Sequence, residues 1–137
     1  MKALLYVWNT LVVLAAVAAW RYGFVEATAA NDSTNITWII AGVFAVSQVA
    51  AWWKEPKKIV SGDLSIQPTR ADILYDAATI MVMLGLAGTV IGFMDALVDI
   101  KSGDTSGIST ALWTTLVGLI GSMVNFVTHR LMGGLKG

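Results

Sequence analysis

Residues 107–134 read GISTALWTTLVGLIGSMVNFVTHRLMGG. No acid or base stands between Gly107 and His129, so the stretch is apolar enough and long enough to lie across a bilayer. Its small and polar residues are nevertheless not scattered. Steps of three or four bring Ala111, Thr114, Thr115, Gly118, Gly121, Ser122, Asn125 and His129 to one side of a helix. Leu112, Trp113, Leu116, Leu119, Ile120, Met123 and Val127 take the other side. A helix that only anchors a protein in lipid gains nothing from a polar stripe. One that faces an ion path or a close-packed partner does.

The preceding apolar stretch, residues 75–99, reads YDAATIMVMLGLAGTVIGFMDALVD and pairs with it as a helix hairpin. Gly85, Gly88 and Gly92 share a face, which is a device for close helix packing, as are Gly118 and Gly121 opposite. Thr89 adds a hydroxyl at mid-membrane depth; it either bonds back to its own helix or lines a path. Thr114 and Thr115, with Ser122 and Asn125, leave the same two readings open. Asp95 and Asp99 continue the glycine face toward the outer end. Asp95 is either a solvated helix-end acid or a cation-attracting vestibule group. Asp72 and Asp76 either complement the positive end of the helix dipole or mark an ion exit, and His129, beside Arg130, is either an interface residue or a proton relay.

Composition fixes the class. The chain has 137 residues, 56% hydrophobic and 13% charged, with a mean hydropathy of +0.70. Nine basic and nine acidic residues cancel, which leaves no footprint for nucleic acid. There is no cysteine and a single histidine, so disulfides and catalytic metal sites are not expected. No nucleophile–base pair or phosphate loop occurs, which argues against an enzyme.

Four apolar blocks, at 3–20, 36–53, 77–98 and 108–127, are each near the roughly 20 residues that a bilayer core requires. Flanking residues complete them to spans at about 3–22, 36–53, 74–98 and 108–130. The expected fold is therefore all-α, a polytopic membrane protein with four transmembrane helices. Residues 1–53 would form a peripheral two-helix hairpin, 54–73 a short linker, and 74–137 the polar-seamed hairpin. The start of the chain, with Ala27-Thr28-Ala29 after an apolar run, has the look of a secretory leader but is read as a retained span. Residues 23–35 read as a short polar outer loop. Thr69 reads as the cap of a helix starting near Arg70 and running about 43 Å.

Charge sets the orientation. Lys2, Lys54, Lys57, Lys58, Arg70, Arg130 and Lys136 fall on one side, against Arg21 and Lys101 on the other. The positive-inside rule puts both termini and residues 54–73 in the cytoplasm. Tyr6, Trp52, Trp53 and Tyr75 form the inner aromatic girdle, and Trp20, Tyr22, Trp38 and Trp113 the outer one.

The segment Leu84-Gly85-Leu86-Ala87-Gly88-Thr89-Val90-Ile91-Gly92-Phe93-Met94, followed by Ala111-Leu112-Trp113-Thr114-Thr115-Leu116-Val117-Gly118-Leu119, resembles the MotA/TolQ/ExbB proton-channel family. There an LGLxGTVxGxM helix precedes an ALxxTxxGL helix. The resemblance covers residues 76–132 and implies a homopentameric ring in the bacterial inner membrane. The ring would surround two copies of a single-span MotB/ExbD/TolR-like partner that carries an intramembrane aspartate. It also implies that Thr89 and Thr115, with Thr114 beside it, line the path of a transported proton or sodium ion, and that no cofactor is used. A four-span layout is closer to flagellar-stator subunits than to the three-span type. Two departures stand out: residues 54–73 replace a large cytoplasmic region, and Thr110 stands where ExbB-type proteins carry a glutamate. The competing reading is a holin-like or scaffolding oligomer, in which the glycine stripe serves packing alone.

Overall fold

The computed structural model describes residues 2–52, 70–98 and 103–133, and these are helical apart from short connections. In chain order the helices are α1 (Lys2–Arg21), α2 (Phe24–Asn31), α3 (Ile36–Trp52), α4 (Arg70–Val98) and α5 (Ser106–Gly133). The linker at 54–73 lies largely outside the described residues, as do Thr69 and Asp99. The start of α4 at Arg70 is where the sequence places it.

Among the described residues, three helices are long and apolar enough to cross a membrane: α1, α4 and α5. The fourth apolar helix, α3, has 17 residues. Residues 23–35 differ from expectation, because an eight-residue helix, α2, occupies what reads as a loop. Gly23 makes this possible. Its left-handed φ of 86° turns the chain out of α1, and its carbonyl accepts the first α2 bond from Ala27 N at 2.8 Å. The polar letters of the segment hid the helix, since its alanines and valine carry no strong period.

The centre of the fold is the α4–α5 hairpin, packed on glycine. A Cβ placed on Gly107 would stand 2.5 Å from both Ala96 N and Gly92 O, and one on Gly118 would stand 2.7 Å from Met81 O. A Cβ on Gly88 would meet Thr114 Cβ at 2.6 Å. No side chain fits at these places, so the two backbones touch. In lipid, where apolar surface gains little by leaving the solvent, such contact is what holds helices together.

Helix α3 lays Ile36, Ile40 and Phe44 against Met81 of α4, with Leu84 and Val117 beside them. One polar clamp fixes its rotation. Gln48 Nε2 donates to Asn125 Oδ1 at 2.8 Å, and Asn125 Nδ2 donates to Ser47 Oγ at 2.8 Å. Helix α1 is held to α5 more sparely, by Trp8 Nε1 donating to Thr128 Oγ1 at 2.9 Å. Its Leu4, Val7, Leu11, Leu14 and Val17 remain exposed. Bare helices of this kind suit a hydrocarbon surround rather than water, and the chain is a membrane protein.

Candidate functional site: the free flank of the α4–α5 hairpin

A helix turns 100° per residue, so positions seven apart lie close to one line along it. On α5 that line runs Thr115, Ser122, His129; on the antiparallel α4 it runs Thr89, Val82, Tyr75. The two lines meet rung by rung. At the first rung the hydroxyls of Thr89 and Thr115 are in hydrogen-bond contact. At the last, the Tyr75 and His129 rings are 5.8 Å apart.

This line is not the one that α3 covers. Helix α3 packs on Gly121 and Asn125 of α5, and Thr115 lies about 120° round the helix from Gly121. Thr89, Thr115 and Ser122 are half-buried on the open flank. The residues flanking them outward, Leu86, Phe93, Leu112, Leu119 and Met123, are exposed and apolar.

Two hydroxyls in contact have two protons and a choice of acceptors. Thr89 Oγ1 is 3.0 Å from Gly85 O, and Thr115 Oγ1 is 2.8 Å from Ala111 O. One hydroxyl can donate to its own helix while the other donates across the pair, and the roles can exchange. The pair is thus satisfied internally, yet it keeps lone pairs to offer a passing cation or water.

The other predicted site residues are dispersed. Thr114 is fully buried under Gly88 and donates back to Thr110 O at 2.9 Å. Asn125 is fully buried in the clamp with Ser47 and Gln48. Gly85, Gly88, Gly92 and Gly118 lie buried in the hairpin seam, and Gly121 makes room for Met81 and Phe44. Asp95 is exposed, about 9 Å along α4 from Thr89 and about 120° round it, so one chain does not bring the two together. The polar stripe of α5 therefore splits: Thr114 and Asn125 bind the chain to itself, whereas Thr115 and Ser122 face outward from it.

The turn between α2 and α3 holds residues that the sequence reading missed. Asp32 is 5% exposed and caps α3: Oδ2 accepts from Thr37 N at 2.7 Å, and Oδ1 from Thr34 N at 2.9 Å and Thr34 Oγ1 at 2.7 Å. Burial pushes its carboxyl up, but the hydrogen bonds from Thr34 and Thr37 outweigh that and hold it below the ordinary range. The signal was present as Asp32-x-Thr34 just ahead of an apolar run. Thr110, where a glutamate is found in ExbB-type proteins, is buried and meets the Ser33 hydroxyl at 3.3 Å. Trp113 packs its ring on Phe24 and donates from Nε1 to Thr28 Oγ1 at 3.3 Å. An apolar groove of about 460 Å³ between α3 and α4 lies away from the threonine flank, lined by Gly42, Val46, Ser47 and Ile80 among others.

A family model, described as the MotA/TolQ/ExbB proton channel family, matches residues 61–135. That stretch is more than half of the chain and contains all of α4 and α5. No curated protein and no solved structure gives a match.

Proposed function

The chain belongs to the MotA/TolQ/ExbB proton channel family, and from that membership we propose that it is the channel subunit of an ion-driven membrane motor. Members of this family are channel proteins rather than enzymes, and they work in oligomers with MotB/ExbD/TolR-like partners. In our reading five copies form a ring in the bacterial inner membrane. All four apolar helices span it, with both termini inside. Two single-span partner helices stand in the ring and carry the aspartate that takes up and releases the ion.

One observation carries the reading: the Thr89–Thr115 hydroxyl pair lies on the flank of the hairpin that the chain's own helices leave open, inside the family-matched segment. Directed at a guest helix, five such pairs would make a ring of weak oxygen ligands. Such a ring lowers the cost of an ion reaching the partner's carboxylate without trapping it. Ser122 continues the path inward, and Asp95 would attract cations at the outer mouth. Thr114, Asn125 and the glycines act behind the path by fixing where Thr115 points.

The test is co-expression with a single-span partner and measurement of the complex's mass. A ring of five with two partner chains supports the reading, and replacing both Thr89 and Thr115 by Val should leave that mass unchanged while ending ion-driven work. The holin-like alternative predicts instead a chain that assembles alone, forms lesions and is indifferent to any partner aspartate.

A further inference from the structure

We propose that His129 is a proton relay at the inner end of the Thr89–Thr115 flank, that the Tyr75 ring is its gate, and that the transported ion is therefore H⁺. This rests on the reading of that flank as the ion path.

His129 lies two heptad steps inward from Thr115, on the same line as Ser122. Its ring forms a triangle with Tyr75, at 5.8 Å, and Phe126, at 6.4 Å, which are themselves 6.4 Å apart. In that cluster Nδ1 is buried and has no hydrogen-bond partner, whereas Nε2 is not enclosed in this way. A buried nitrogen with nothing to bond is costly, and a purely structural histidine ordinarily finds a partner for it. A bare lone pair is easier to bury than a bare N–H, as with backbone groups. The resting tautomer is therefore Nε2–H, with Nδ1 as an unused base.

That asymmetry suits a one-way step. Path water gives a proton to Nδ1, and the Nε2 proton leaves to water on the inner side. The ring is neutral before and after and one proton has moved inward; rotation of the ring then carries the Nδ1 proton to the inner side and presents the bare Nε2 to path water, so the next proton passes with the two nitrogens in exchanged roles. No such exchange is open to Na⁺, which an imidazole cannot pass through its bonds. Among the described residues the groups facing the ring are few. On α4 the titratable group in contact is Tyr75, with Asp72 and Asp76 within a turn of it. On α5, Arg130 is folded onto Phe126, 5.5 Å from its centroid.

The gate follows from the same contacts. Nδ1 is buried with Tyr75 in contact with the ring, and we assign to Tyr75 the part of that cover that can move, so the chain by itself is closed. Tyr75 is 51% exposed and has room to swing outward. A guest helix that displaces it would open the relay.

The purified full chain, reconstituted in vesicles with a trapped pH dye and driven by a potassium diffusion potential, tests this. Wild type and Tyr75→Phe should be tight, and Tyr75→Ala should leak protons but not Na⁺. Adding His129→Gln should cut that leak about a hundredfold, the lower end of what a positioned proton-transfer group contributes. Adding Thr115→Val to Tyr75→Ala should also close it. Each variant is first required to keep the wild-type oligomeric mass, and Tyr75→Val substitutes if Tyr75→Ala does not fold. A leak that needs Thr115 but not His129 overturns the relay and leaves the path standing. A leak indifferent to both removes the path as well. A tight Tyr75→Ala protein, or a leak that carries Na⁺ equally, overturns the proposal.

Discussion

The hydroxyls of Thr89 and Thr115 meet across the α4–α5 hairpin, each also within reach of a carbonyl one turn back on its own helix. Substituting both by Val removes the polar pair but keeps shape and β-branching, so the hairpin should stay folded. In our account ion-driven work is then lost, while Thr→Ser at either position retains part of it because the oxygen remains. Assembly mass together with an activity readout separates the two effects.

The glycine seam should be sensitive where backbones touch and tolerant where space is open. Gly118→Ala forces a methyl to within 2.7 Å of Met81 O and should cost about 1–3 kcal/mol, read as a lower Tm in detergent. Gly42→Ala, on α3 with nothing within 4 Å of the added carbon, should leave Tm unchanged or raise it slightly.

Asn125 holds α3 through two side-chain hydrogen bonds. Asn125→Leu leaves the Gln48 amide and Ser47 hydroxyl short of a partner, at a cost of about 1 kcal/mol. Replacing Gln48 and Ser47 by Leu and Ala in the same protein should recover most of that loss, because no polar group is then left unpaired. A double-mutant cycle on Tm measures the coupling.

Asp32 predicts an acid-sensitive turn between α2 and α3. Its carboxyl titrates lower in the folded chain than the ordinary 3.8, so its stabilising contribution is whole above that value and falls away as pH drops through the lower folded one. Asp32→Ala should cost about 0.5–2 kcal/mol at neutral pH. The Asp32→Asn protein should lose less stability than wild type between neutral pH and pH 3, as followed by thermal unfolding.

Much of this was legible in the residues. Helices α4 and α5 and the glycine seam between them follow from period and composition. Which half of the α5 stripe is turned inward was not legible. Thr114 and Thr115 are neighbours of one type, and only the position of Gly88 opposite decides that Thr114 is the one enclosed. Asn125 reads as a path residue until Ser47 and Gln48, seventy-eight and seventy-seven positions earlier, are found against it. Helix α2 escaped notice because its start depends on the backbone of Gly23 and its position on contacts with α5, through Thr28 to Trp113 and Asn31 to Ser109.

The central claim is that the Thr89–Thr115 flank faces a water-filled centre and the opposite face of α5 faces lipid. The chain has no cysteine, so single cysteines can be placed without background. We predict that Thr115→Cys and Ser122→Cys react with a small hydrophilic thiol reagent in intact membranes, while Leu116→Cys and Ile120→Cys do not. Reaction at Leu116 and Ile120 with silence at Thr115 and Ser122 would contradict the account.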